Sequence, residues 1–315
     1  MRGETARSIA LHGGLIAALV LGHFLLPEYH HGNLARIMVL AAYAIGYNIL
    51  FGYTGLLSLG HAMFFAAGMY GLALGIRHLG LTPGPALLAG IAAGATLSLV
   101  VGLLALRTVG VAFMIVTLMF AQAVHLTILL AGRWTRGDEG FVIQPAQRNL
   151  WGIDLSQSDA RYLAALALFV LTLALCLWLV RSRFGRVLVA VRENEERTRL
   201  LGYDTWAHKL GAVVISGTLS AAAGAAYALL FGYAGASFAT VQYSILPLLW
   251  VLLGGAGTVV GPFLGTLFMF YLIDWASGVT SAYMLVAGVA LVLLTLFAPQ
   301  GMAGLVRARL WRGLP

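Results

Sequence analysis

The chain of 315 residues is 61% hydrophobic and only 10% charged, a balance that excludes an ordinary soluble domain, in which about a quarter of residues are charged. The net charge of +8 does not mark a nucleic-acid surface, because Lys209 is the single lysine and the arginines sit between apolar runs. The lone Cys176 lies inside an apolar run, excludes an intrachain disulfide and reads as a small packing residue.

About ten hydrophobic segments follow one another, at 8–26, 34–51, 55–75, 86–106, 109–131, 162–180, 208–232, 244–259, 262–277 and 283–298. A crossing of the hydrocarbon core takes roughly 20 helical residues. The runs are continuous and lack the alternation of barrel strands, so they predict helices. The fold class is therefore an all-α integral membrane protein, a single membrane domain over 1–315, with some segments half-helices or re-entrant. The first segment follows Arg2 and Arg7 as in a signal peptide but runs into Leu26, Pro27 and Glu28 without a small cleavage site, and reads as a retained helix. His30 and His31, next along, read as a solvated pair rather than a metal site.

The stretch Gly52 to Tyr70 carries Gly55, Gly60 and Gly68 with Ser58 and His61 among apolar residues. Glycines permit close helix packing or a break, and polar atoms at membrane depth are costly and tend to mark a pathway. The alternative is that the glycines only pack helices and His61 is a satisfied interhelical donor. A second glycine cluster, Gly254, Gly255 and Gly257, interrupts the apolar run after Pro247. Paired breaks of this kind are the sequence form of a midplane passage.

Two long loops are polar. Residues 132–161 mix Arg133, Arg136, Arg148 and Arg161 with Asp138, Glu139, Asp154 and Asp159, as either a folded cap for an external partner or a solvated loop. Residues 181–207 hold most of the chain's charge. There Val187, Leu188, Val191, Leu200 and Leu201 recur at near-helical spacing among Arg192, Glu193, Glu195, Glu196, Arg197 and Arg199, predicting one short amphipathic helix stopped at Gly202. Such a helix is either a knob for a soluble partner or a solvated surface.

With both termini inside, thirteen basic residues fall on the cytoplasmic side and six outside, which places 181–207 in the cytoplasm and 132–161 outside. No Walker A loop is present, since the one lysine is followed by Leu210, so the sequence signals no ATPase site on this chain. No His-x-x-x-His, paired cysteine or Gly-x-Ser-x-Gly appears, so neither a catalytic nor a metal site is signalled.

Arg192-Glu193-Asn194-Glu195 and the spacing of Glu196 six residues before Gly202 resemble the ATPase-coupling segment of importer permeases, although Glu196-Arg197-Thr198 stands where the general pattern has Glu-Ala-Ala. Gly55-Leu56-Leu57-Ser58-Leu59-Gly60-His61, the cluster Leu253 to Gly265, and Phe297 to Gly304 resemble the LivM-type permease subunits of the branched-chain amino acid importer family. The resemblance implies a membrane-spanning permease in a bacterial inner membrane. Its implied partners are a sister permease, two cytoplasmic ATP-binding-cassette ATPases that hold the ATP and magnesium, and an external solute-binding protein, with no cofactor on this chain. It implies coupling through Arg192, Glu193, Glu195, Glu196 and Gly202, and a path near Gly55, Ser58, Gly60, His61, Gly254, Gly255 and Gly257. An ATP-independent transporter or channel would need ion-coupling acids, and only Asp274 lies within an apolar segment. An intramembrane enzyme would have only the scattered His23, His61 and His125 to work with.

Overall fold

The computed structural model describes residues 2–297 and 301–304. Each expected apolar segment is helical over most of its length: α1 (Arg2–Leu25), α2 (Glu28–Asn48), α3 (Ala62–His78), α4 (Pro83–Ala105), α5 (Val111–Leu130), α7 (Ser158–Arg181), α10 (Thr205–Phe231), α11 (Val241–Gly254), α12 (Gly261–Val279) and α13 (Tyr283–Phe297). Short helices α6 (Gly132–Thr135), α8 (Arg183–Glu193) and α9 (Glu195–Leu200) lie between them. Among the described residues six helices are long and apolar enough to cross a membrane: α2 with its continuation to Tyr53, α4, α5, α7, α10 and α12. The expected ten segments thus resolve into six full-length candidates and shorter apolar helices; α3 and α11 have 17 and 14 residues.

The shortening has a local cause. The segment expected from residue 55 becomes α3 only at Ala62, because the glycine-rich stretch before it leaves the helix. Likewise the segment expected to reach 259 stops at Gly254. Between α2 and the first break, residues Ile49–Tyr53 form one π-helical turn, a widening that occurs often at functional sites. Phe297 to Gly304 and the basic residues Arg307, Arg309 and Arg312 fall partly or wholly outside the described residues.

The axis of the bundle is α2. Residues Ile37 to Ile45 are buried on every side, with α7, α10, α11 and α12 packed around them. The second packing unit is α3, α4 and α10, held at very short range. A methyl group added at Gly68 would lie 2.0 Å from the Ala221 carbonyl oxygen, and one at Gly224 would lie 1.9 Å from that of Phe65. These backbones touch because no side chain intervenes, the usual device for helix association in lipid.

The loop 132–161 is folded. Strand β1 (Phe141–Val142) pairs antiparallel with β4 (Tyr233–Ala234), and β2 (Asn149–Leu150) with β3 (Ile153–Asp154). Arg148 Nη1 donates to the Leu230 carbonyl at 3.4 Å, so the loop is a small cap over the end of α10. Within it the Ser156 hydroxyl and amide hold the Asp154 carboxyl below the usual carboxylate range. The other charged stretch, 181–207, lies at the far end of α7, a helix of 24 residues and about 36 Å. The two polar loops therefore occupy opposite ends of the bundle.

Candidate functional site

The two glycine breaks, far apart in sequence, meet in the structure. Asn48, the last residue of α2 and fully buried, joins them with both ends of its amide. Its Nδ2 donates to the Thr258 carbonyl at 2.8 Å, and its Oδ1 accepts from the Gly257 amide at 3.0 Å. Gly52 sits in the same contact, since an added methyl would lie 1.9 Å from Asn48 Oδ1 and 2.5 Å from the Gly257 nitrogen. Chain composition alone did not single out Asn48; the available signal was a lone amide within an apolar run, four residues before Gly52.

Into this junction reaches Arg192 from the end of α8. Its Nη1 donates to the Gly52 carbonyl. Gly55 and Gly257 flank it with φ of +77° and +75°, and a methyl on either would lie 3.0 Å from Arg192 Cγ or 2.9 Å from its Nη1. Handedness and space both require glycine at these two positions. The charged segment and the glycine breaks, separate features of the sequence, are thus one site.

Deeper in the bundle the first break carries Ser58 and His61, both buried. Ser216 Oγ donates to the Gly46 carbonyl at 2.6 Å, which uses its single proton, so it accepts from His61 Nε2 at 2.7 Å. The ring is then the Nε2–H tautomer, and its Nδ1 is a buried acceptor without a partner. Ser216 lies eleven residues into α10, about 16 Å along it, so His61 is held at mid-depth. The main-chain carbonyl of Ser58 accepts from Tyr47 at 2.9 Å, and its Oγ accepts from the Gly60 amide at 3.2 Å. Ser244 of α11 accepts from the Ala62 amide at 3.0 Å, satisfying one of the open donors at the start of α3.

Gly60 and Gly254 behave as packing residues, because added methyls would lie 2.2 Å from the Thr117 carbonyl oxygen and 1.8 Å from that of Gly261. Gly255 is likewise buried, against the chain at Gly301.

The charged segment departs from the single helix expected. Asn194 leaves the helical region with φ −160° and ψ 102°, ending α8, and its side chain accepts from the Arg197 amide at 2.8 Å to start α9. That cap is an ordinary helix-start signal, hidden in sequence by the charges around it. The break shifts the phase of the apolar positions. Val187, Leu188 and Val191 are buried as expected, whereas Leu200 and Leu201 are 87% and 72% exposed. Gly202 ends α9 with φ +91°: its amide donates to Arg199 and that of Tyr203 to Thr198, a Schellman closure that needs a left-handed residue. Glu193 and Glu196 face outward. Glu195 instead turns inward, 2.5 Å from the buried Nζ of Lys209 on α10. An outward apolar pair, two outward acids and a rigid glycine turn make a knob; Arg192 and the Glu195–Lys209 pair tie it to the bundle.

One remaining reading also changes. His31 is buried rather than solvated. Asp274, the one acid an ion-coupled carrier could use, accepts from Tyr29 at 2.6 Å, beside the first turn of α2 and away from the glycine junction.

Residues 31–297 match the family model described as branched-chain amino acid transport system, permease component. The high-affinity branched-chain amino acid transport system permease protein LivM of Salmonella typhimurium is 30% identical over 98% of this chain and 78% of its own length. The protein of that name from Escherichia coli is 29% identical over 87% of this chain and 69% of its own. The probable branched-chain amino acid transport permease protein LivM of Methanocaldococcus jannaschii is 32% identical over 39% of this chain and 40% of its own. No solved structure matches the chain. A family match over most of the length, on a bundle of long apolar helices, places this multi-pass membrane protein in the branched-chain amino acid transport permease family.

Proposed function

We propose that the chain is the membrane-spanning permease of an ATP-binding-cassette importer, that it carries branched-chain amino acids or similar small solutes, and that it converts ATPase motion into opening and closing of a path beside the glycine junction. The observation that carries this is Arg192: one side chain runs from the charged surface segment into the contact between the two helix breaks. A push on the knob is then a push on the residues that hold the breaks together. Interfaces of this kind switch between discrete arrangements rather than bend continuously.

In this reading the exposed Leu200 and Leu201 seat in an ATPase groove, with Glu193 and Glu196 at its rim and Gly202 setting the turn. Glu195 stays with Lys209 and transmits the displacement to α10. Displacement of α10 moves Ser216 and with it His61, whose open Nδ1 is a polar contact available to a guest at mid-depth. ATP and magnesium are held by two cytoplasmic ATPases. A sister permease completes the path, and an external solute-binding protein delivers the solute to the end bearing the cap of residues 132–161. In this reading the membrane is a bacterial inner membrane and both termini are cytoplasmic, an orientation supported by the excess of basic residues on that side.

The test is reconstitution in proteoliposomes of this chain with the sister permease, ATPases and binding protein of its transport system. Uptake of radiolabelled leucine, isoleucine or valine should require internal ATP and every subunit, and the purified chain alone should hydrolyse no ATP. Uptake driven by an ion gradient without ATP would overturn the reading.

A further inference from the structure

The structure assigns a transition-metal site to His23, His31 and Asp159, where α1, α2 and α7 meet at the end of the bundle opposite the charged segment. Each residue offers one ligand atom, and the three atoms lie within 4.8 Å of one another. His23 Nδ1 is 2.9 Å from His31 Nε2, and Asp159 Oδ1 is 3.9 Å from the same nitrogen. Ligand atoms on a tetrahedral Zn²⁺ at about 2.0–2.1 Å are separated by about 3.3 Å. These two separations bracket that value, and the third, between His23 and Asp159, lies within 4.8 Å, so an inward swing of the exposed Asp159 carboxylate closes the site.

The surroundings are those of a ligating histidine. His31 is 5% exposed, and its Nδ1 lies 3.1 Å from Ser158 Oγ. Donation to that hydroxyl fixes Nδ1–H and turns the Nε2 lone pair toward His23 and Asp159, the outer-shell hydrogen bond that orients metal ligands. The ring is also clamped flat against Tyr162, with centroids 4.2 Å apart and planes 17° apart. Tyr162 in turn donates to the Leu19 carbonyl of α1 at 2.7 Å. The Asp159 side chain is 81% exposed, which leaves it free to swing onto an ion and leaves the fourth position open to water. Two imidazoles, one carboxylate and a water form a donor set suited to Zn²⁺.

Binding replaces the proton held between His23 Nδ1 and His31 Nε2 with the ion: His23 shifts to its Nε2–H tautomer, both rings stay neutral, and no net proton is released. The result is a staple: α1, packed mainly against α7, becomes fixed to α2 and α7 at once.

The experiment uses the full chain in detergent, purified on an affinity tag free of histidine, with Zn²⁺ titrated against a fluorescent chelator. One equivalent should bind and raise the thermal unfolding temperature. In Asp159→Asn and His23→Gln, affinity should fall at least about tenfold and the zinc-induced rise should vanish. Because His23→Gln also removes a contact between helices, Asp159→Asn, an exposed change, carries the decision. Absence of zinc binding, or binding and stabilisation unchanged in Asp159→Asn, overturns the assignment.

Discussion

Replacing Asn48 with alanine should separate the two glycine breaks without touching the rest of the bundle. Its amide makes two hydrogen bonds across them, to the Thr258 carbonyl at 2.8 Å and from the Gly257 amide at 3.0 Å. Each buried polar group left without a partner costs about 1–3 kcal/mol. Gly257 and Thr258 are half-buried, so water recovers part of the loss and the low end applies, about 2–3 kcal/mol for the pair. Asn48→Asp keeps the acceptor but sets a carboxylate against the Thr258 carbonyl, so it should be no better than alanine. Thr127→Ala is the control: its hydroxyl bonds only within α5 on an exposed face, and its loss should fall within about 0.5 kcal/mol. Chemical or thermal unfolding of the full chain in detergent, with leucine uptake by the reconstituted importer, reads the effect. If Asn48→Ala is as stable as Thr127→Ala and transports normally, the breaks do not depend on one another and the joined site is wrong.

The knob yields three more expectations. Gly202→Val should cost about 1–2 kcal/mol through its left-handed φ and abolish uptake, whereas Gly202→Asn should retain most of both; nothing lies within 4 Å of an added methyl, so equal loss in the two variants would remove handedness as the cause. Glu195→Ala should destabilise more than Lys209→Met in the same unfolding assay, because the first strands a buried ammonium and the second frees a half-exposed carboxylate; the reverse order would contradict the pairing. A Gly55→Cys, Arg192→Cys double variant in a Cys176→Ala background should cross-link on mild oxidation, since the Cβ positions are 3.5 Å apart and removal of the arginine side chain frees the space; the left-handed φ at 55 costs about 1–2 kcal/mol, which the closed disulfide offsets, and a gel without reductant would show its absence.

The helices were legible because apolar length is a direct physical requirement of the bilayer, and Ile37 to Ile45 or Leu88 to Leu104 read the same in sequence and in structure. What was not legible came from single polar side chains that act at a distance. Asn194 breaks the charged segment into α8 and α9, and only after that break do Leu200 and Leu201 face outward. Asn48, Ser216 and Ser244 sit in apolar helices where a lone polar residue reads equally as a back-bond to its own helix. Lys209, unique in the sequence, gave a signal of kind but not of partner. The glycine breaks were visible at 52–60 and 254–257, but their meeting depends on tertiary packing that no local pattern carries. His31 beside His30 reads as surface until Tyr162 and Ser158 are placed against it.

Arg192→Gln in the reconstituted complex, with leucine uptake and ATP hydrolysis measured together, decides whether the charged segment drives the glycine junction through Arg192. Glutamine at 192 is too short to reach the Gly52 carbonyl across the junction, while Leu200, Leu201, Glu193 and Glu196, the proposed ATPase contacts, are left intact. The expected complex assembles and still hydrolyses ATP, and its uptake per ATP falls at least about tenfold, equivalent to about 1.4 kcal/mol of lost coupling. Uptake per ATP equal to that of the unaltered chain would contradict it.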